Sequence, residues 1–147
     1  MKILITGASG LVGGNCKKQF LTDRWTVLGT HMSFATKDTV YFNTIDLSDP
    51  RNSEVFQFNA EVIVHCGALV DAEYCELHED ESYQHSVKAT ENLVQLAKQT
   101  GAYFVFISSD YVFDGYGGPY AEDATPNPLN VYGHHKLKAE QLVQAEK

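Results

Sequence analysis

Tyr132 and Lys136 stand four residues apart in the stretch NVYGHHKLKAE, Asn130 to Glu140. On a helix that spacing puts both side chains on one face. A phenol titrates near about 10 and is a poor acid at neutral pH. A nearby ammonium favours the phenolate and lowers that value. A tyrosine tuned in this way can pass a proton to or from a carbonyl or alcohol oxygen. Ser108 and Ser109 close the apolar run YFVFISS, and a hydroxyl there would steady the substrate oxygen. His134 and His135 lie inside the Tyr–Lys spacing and read as free to vary. Helices carry many Tyr–Lys pairs by chance, so the pair gains weight only from what accompanies it.

A glycine turn accompanies it. In TGASGLVGG, Gly7, Gly10 and Gly13 follow a short β-rich run and open a helical one. Gly7 permits the tight turn, Gly10 lets the backbone approach a pyrophosphate, and Gly13 lets the helix pack close to the strand. The free N–H groups and positive dipole of that helix start, at Leu11 and Val12, then face the phosphates. A triplet between strand and helix is the context that makes such spacing informative. No GK[ST] follows, which argues against an NTPase P-loop. Lys136 could in addition hold the ribose hydroxyls of a nicotinamide cofactor, which would supply hydride. After the second strand an NAD site would carry an acid for the ribose. The sequence there is GTHMS, without one. His31 or Lys37 would instead meet a 2′-phosphate, so the expected cofactor is NADP(H) or NAD(H), leaning to NADP(H). Asp46, beside Leu47 in IDLSD, could hydrogen-bond the adenine; Asp49 or Ser48 is the better helix cap before Pro50.

The elements that must position these residues alternate. Strands are expected at Lys2–Thr6, Trp25–Thr30, Val40–Ile45, Glu61–Cys66 and Tyr103–Ser108, and helices at Leu11–Thr22 and Pro50–Phe58. A long helix is expected from about Glu79 to Thr100, stopped by Gly101, and a last one from Asn130, a good N-cap. Alternation of strand and helix marks a parallel sheet with helices on both faces. The expected class is α/β, a Rossmann-type doubly wound parallel sheet forming one NAD(P)-binding domain over residues 1–147. A full dinucleotide fold has six strands, so a C-terminal, substrate-binding part is expected to be lacking.

The chain has a net charge of −8, which argues against nucleic acid or an anionic membrane as main partner, because phosphates demand basic patches. Cys16, Cys66 and Cys75 form no CxxC, and their odd number suits a reducing compartment. MKILITGASG is neither a signal peptide nor a membrane span, so a cytoplasmic protein is expected. Cys75 and His78 have no second pair at metal spacing, so no metal site is expected. His65 reads as a satisfied, partly buried residue rather than a base.

TGASGLVG, VIVHCGA, ISSDYVFDG and TPNPLNVYGHHKLKAE together resemble the extended short-chain dehydrogenase/reductases. Within them, the pattern is similar to the dTDP-4-dehydrorhamnose reductases and the non-catalytic regulatory subunits of methionine adenosyltransferase. The resemblance covers essentially the whole chain. It implies an NAD(P)(H)-dependent enzyme acting on a nucleotide-linked 4-keto sugar, with Ser109, Tyr132 and Lys136 as the catalytic trio. It implies that Cys66, Gly67 and Ala68 line the nicotinamide side of the cleft. VDAEYCE (Val70–Glu76) resembles a loop over the cofactor. The family usually has threonine at Ser109 and asparagine at Ser86, and its members are about twice as long.

Three readings follow from the residues and the resemblance: a nucleotide-sugar reductase, an NADP-binding regulatory subunit without turnover, and a cofactor-binding fragment. An apolar sheet edge after the fifth strand would favour self-association, in keeping with a homodimer.

Overall fold

The computed structural model describes residues 1–145; Glu146 and Lys147, the last two of the expected domain, lie outside the described residues. Five parallel strands are Lys2–Thr6 (β1), Thr26–His31 (β2), Val40–Tyr41 (β3), Val62–His65 (β4) and Tyr103–Phe106 (β5), in the order β3-β2-β1-β4-β5. Ile3 of β1 pairs with Val27 of β2 on one side and Val62 of β4 on the other. Strand alternation then feeds two cores, because both faces of a parallel sheet are covered. Ile3, Ile5 and Val64 face helix α1 (Leu11–Thr22), whose Phe20 stacks on Trp25 at 5.0 Å. Leu4 and Ile63 face the opposite way, against Val55 of α2 (Ser53–Phe58) and Leu93, Leu96 and Ala97 of α5 (Ala89–Thr100).

The ends of β2, β4 and β5 shift by one or two residues, the expected helix Pro50–Phe58 opens with a 3₁₀ turn over Pro50–Asn52, and two further elements differ more. The third strand is only Val40–Tyr41 long, not Val40–Ile45. The Asn43 carboxamide accepts from the N–H groups of Ile45 and Asp46, a side-chain turn that ends the strand. Buried Asn52 locks it by accepting from Asn43 N and donating to the carbonyls of Asn43 and Asp46. The long helix is not continuous either. It is α4 (Glu79–Tyr83), a π turn over Gln84–Lys88, and α5, with Gly101 closing α5 in a left-handed conformation. A single π turn inside a helix often marks a functional place.

The stretch expected to be a loop, Val70–Glu76, contains a short helix, α3 (Ala72–Leu77), capped by Asp71 Oδ1 accepting from Tyr74 N at 3.0 Å. The last helix, α6, runs Val131–Gln144, with the Asn130 side chain accepting from Gly133 N at 2.8 Å. It starts at the expected cap because Asn satisfies an otherwise orphaned amide there. No described helix is long and apolar enough to cross a membrane.

Candidate functional site

The glycine turn lies at the carboxyl end of β1, where open α/β sheets bind ligands. Gly7 takes φ +68°, a conformation that side chains disfavour. A Cβ on Gly13 would collide with the Gly7 carbonyl and lie 2.9 Å from Ala8 Cα, so glycine there lets α1 start flush against the turn. Gly10 caps α1 without a side-chain hydrogen bond, and no acid stands in the first turn. The first amides of the helix, at Leu11, Val12 and Gly13, therefore have no intrahelical acceptor and carry the positive end of the dipole.

These residues border a cleft of about 470 Å³. Gly7, Gly10, Leu11, Val12 and Gly13 line it, as do His31 from β2 and Cys66, Gly67 and Ala68 after β4. Asp46 and Leu47 do not. Asp46 Oδ1 accepts from Ser48 N and Ser48 Oγ, holding a local turn, and Leu47 packs on the core behind the sheet. Thr44, two residues earlier, reaches the cleft instead. Asp49 caps the 3₁₀ turn Pro50–Asn52 that leads into α2, accepting from Arg51 N at 3.0 Å. The His31 ring is engaged by Thr39 Oγ1, 2.9 Å from Nδ1. An open row of helix amides and a turn in which a Cβ on Gly7 or Gly13 would clash suit the diphosphate of a dinucleotide, and the cleft carries no carboxylate at the end of β2.

Ser109, Tyr132 and Lys136 gather where β4 and β5 end. Gly133 allows this: a Cβ there would collide with the Tyr111 carbonyl, so only glycine lets α6 press onto the turn Asp110–Val112. Tyr132 meets Tyr111 edge-on, with ring centroids 5.5 Å apart. Ser109 Oγ accepts from Tyr111 N at 3.3 Å. Lys136 is 3% exposed. Its Nζ donates to the Ile107 carbonyl at 2.5 Å and lies 4.1 Å from the centroid of the Phe106 ring. Burial draws its pKa down to about 8, opposed by Glu140 and Cys66.

The expected lowering of the tyrosine is not present. Burial raises the Tyr132 pKa above its usual value, and only a hydrogen bond with Ser109 opposes this. The lysine ammonium donates to the Ile107 carbonyl rather than to the phenol. Tyr132 is thus a protonated acid at neutral pH.

His65 is more deeply buried than expected, at 2% exposure. Thr6 Oγ1 lies 2.6 Å from its Nδ1, while Nε2 has no partner among the described residues. Burial, with help from the Lys136 charge, lowers its pKa to about 3. The Cys66 thiol is pushed up to about 12, chiefly by burial, which makes it a poor nucleophile. Cys75 is buried and donates to Leu69 O, whereas His78 stacks on Tyr74. Ser86 sits in the π turn, buried, with its hydroxyl unpartnered among the described residues.

His135 corrects the sequence reading. It is not free to vary: the ring is 7% exposed and its Nδ1 lies 2.9 Å from Ser82 Oγ, itself fully buried. The signal was available in α6, whose buried positions Tyr132, His135, Lys136 and Ala139 follow helical spacing. His134 is exposed.

The family described as RmlD substrate binding domain matches residues 1–147. The chain is 40% identical over 142 residues to methionine adenosyltransferase 2 subunit beta of Bos taurus, covering 97% of this chain and 42% of that protein. Among solved structures, a hypothetical dTDP-4-dehydrorhamnose reductase from Sulfolobus tokodaii superposes with a TM-score of 0.86 at 34% identity, covering 97% of this chain and 51% of the other. The dTDP-4-dehydrorhamnose reductase of Bacillus anthracis str. Ames, solved in complex with NADP, superposes with a TM-score of 0.84 at 26% identity, covering 98% and 49%. The chain spans about half the length of the relatives it matches, or less.

Proposed function

Because the chain belongs to the RmlD substrate binding domain family, we propose that it binds NADP(H) or NAD(H) in the glycine-lined cleft and forms the catalytic part of a reductase of nucleotide-linked 4-keto deoxysugars. The observation that carries this reading is the meeting of Ser109, Tyr132 and Lys136 after β5, at the same carboxyl edge of the sheet as the glycine-lined cleft, although none of the three lines that cleft itself. The amides of Leu11, Val12 and Gly13 hold the diphosphate. Lys136, released from Ile107 O by a ribose hydroxyl, fixes the sugar of the cofactor. When bound, the nicotinamide supplies the hydride. Ser109 Oγ donates to the substrate carbonyl, and Tyr132 gives its proton to the oxygen as it becomes an alcohol. The raised Tyr132 pKa suits that direction, since the phenol enters the step protonated. The absence of an acid after β2 supports the lean to NADP(H). The domain spans residues 1–147 in this reading.

A second reading has its own support. The 40% identity is to a protein named as a subunit of methionine adenosyltransferase, and Ser86, in the π turn packed against α6, leaves a buried hydroxyl without a partner among the described residues. In that reading the chain binds the dinucleotide without turnover. One experiment separates them: titration with NADPH and NADH, followed by turnover with a dTDP-4-keto deoxysugar. Binding with substrate-dependent oxidation of NADPH supports the reductase, binding without oxidation the regulatory reading, and absence of binding overturns both.

A further inference from the structure

Helix α6 carries both Tyr132 and Lys136, so its rotation about its own axis decides where their polar atoms lie. The Lys136 hydrogen bond to Ile107 O and the close approach of Gly133 to Tyr111 bear on that rotation, and so do three further contacts. The Asn130 cap fixes the first turn to itself but not to the rest of the molecule. Glu76 of α3 accepts from Val131 N at 2.6 Å, from an exposed position. The third contact is the internal one, where Ser82 Oγ of α4 and His135 Nδ1 of α6 meet at 2.9 Å. Both side chains are buried, so each would be left unsatisfied if the other moved away. Tyr83 meets the His135 ring edge-on at 5.6 Å, and Lys138 lies 4.7 Å from the same tyrosine ring. The ring therefore has one seat, and the π turn starts two residues after Ser82.

We propose that the Ser82–His135 pair is the peg that sets the rotation of α6, making His135 a positioning residue for Tyr132 and Lys136. The proposal rests on the functional reading of those two residues. His135 does not line the glycine-lined cleft. It acts because residues 132, 135 and 136 share one buried face, so a turn of the helix that lifts the imidazole off Ser82 also swings the phenol away from Ser109 and Tyr111. The peg is polar, and that gives it direction. An apolar contact tolerates sliding, whereas a hydrogen bond between two buried groups has one good geometry.

The test uses Ser82→Ala, Ser82→Thr and His135→Phe in the whole chain. Two quantities are read: the proton NOE between the Tyr111 and Tyr132 rings, and the Kd for NADPH by fluorescence. Ser82→Ala should weaken the NOE and raise Kd about tenfold, the scale of one buried partner lost. Ser82→Thr, which keeps the hydroxyl, should restore both. A lowered Tm with an unchanged NOE and unchanged Kd overturns the proposal, since a merely structural bond would do only that. His135→Phe serves as the second disruption, and the serine pair decides the matter if the phenylalanine variant does not fold. Were the unaltered chain to bind neither NADPH nor NADH, the functional reading would fall. The NOE comparison would still decide whether the peg positions Tyr132.

Discussion

The ammonium of Lys136 donates to the backbone carbonyl of Ile107, at 2.5 Å, and not to Tyr132 one turn earlier on the same helix. A cation in that place is poorly hydrated, and its pKa of about 8 registers the cost. The charge is held on one carbonyl and one aromatic face until a ligand with hydroxyl groups offers more.

The first prediction follows. Lys136→Met should leave the chain at least as stable as the unaltered protein at pH 7, because an isosteric apolar side chain removes a desolvated charge worth about 1–3 kcal/mol. It should also raise the NADPH Kd more than about tenfold, since the hydroxyl-binding donor is gone. The pH dependence has a fixed sign. The lysine's folded pKa lies below its unfolded value, so the unfolded chain binds the extra proton between about 8 and about 10.4. Stability contributed at this residue therefore rises with pH across that window. Thermal melts should show a rise that the methionine variant lacks.

Tyr132 gives the second prediction. Burial raises its pKa, so the protonated acid is present throughout the neutral range and is lost only at strongly alkaline pH. Tyr132→Phe should abolish turnover with a dTDP-4-keto deoxysugar by a factor of about 100 or more, while NADPH affinity changes little. Equal turnover of the variant and the unaltered chain would exclude the tyrosine as the proton donor.

Much of this site could be read from the residue order, and the reasons for the exceptions are physical. The β1 and α1 limits followed from a β-branched run, a glycine and an amphipathic stretch, all local signals. The shortened β3 did not, because the Asn43 turn that ends it is locked by Asn52, nine residues further on. The π turn over Gln84–Lys88 has no local pattern of its own. Tyr132 and Lys136 stood out by type and spacing and Ser109 by the family resemblance, but the pKa direction of the tyrosine depends on its burial and on where the lysine points. That is decided by Ile107, a residue with no chemistry of its own. His135 was misread because histidines beside a motif look like surface, although its spacing from Tyr132 and Ala139 placed it on the buried face.

His65 supplies a prediction about acid. Its pKa is about 3 in the folded chain, below an unfolded value near about 6.5. The folded state holds the neutral ring, bonded to Thr6 Oγ1. As pH falls from about 6.5 towards about 3, only the unfolded chain takes up the proton, so stability is lost through that window, with the unfolding constant rising up to about tenfold per pH unit from this group. His65→Gln removes the titration. Urea midpoints between pH 6.5 and 4 should fall more steeply for the unaltered chain than for the glutamine variant.

The last prediction concerns Gly133, where helix α6 touches the turn that carries Ser109. An added methyl group would meet the Tyr111 carbonyl and stand 3.0 Å from Pro128 Cβ. Neither neighbour is the free end of a flexible side chain, so the helix itself has to move. Gly133→Ala normally favours a helix by up to about 1 kcal/mol through propensity. Overpacking should reverse that sign and cost about 1–3 kcal/mol. The shift displaces Tyr132, the adjacent residue, from Ser109 and Tyr111, so turnover should fall further than NADPH affinity, since the amides proposed to hold the diphosphate lie at the glycine turn. His134→Ala, at the next and exposed position, should gain propensity without a clash and leave binding unchanged. A Gly133→Ala chain as stable and as active as the unaltered one would mean that α6 does not bear on the Asp110–Val112 turn, and the site geometry described for Tyr132 would be wrong.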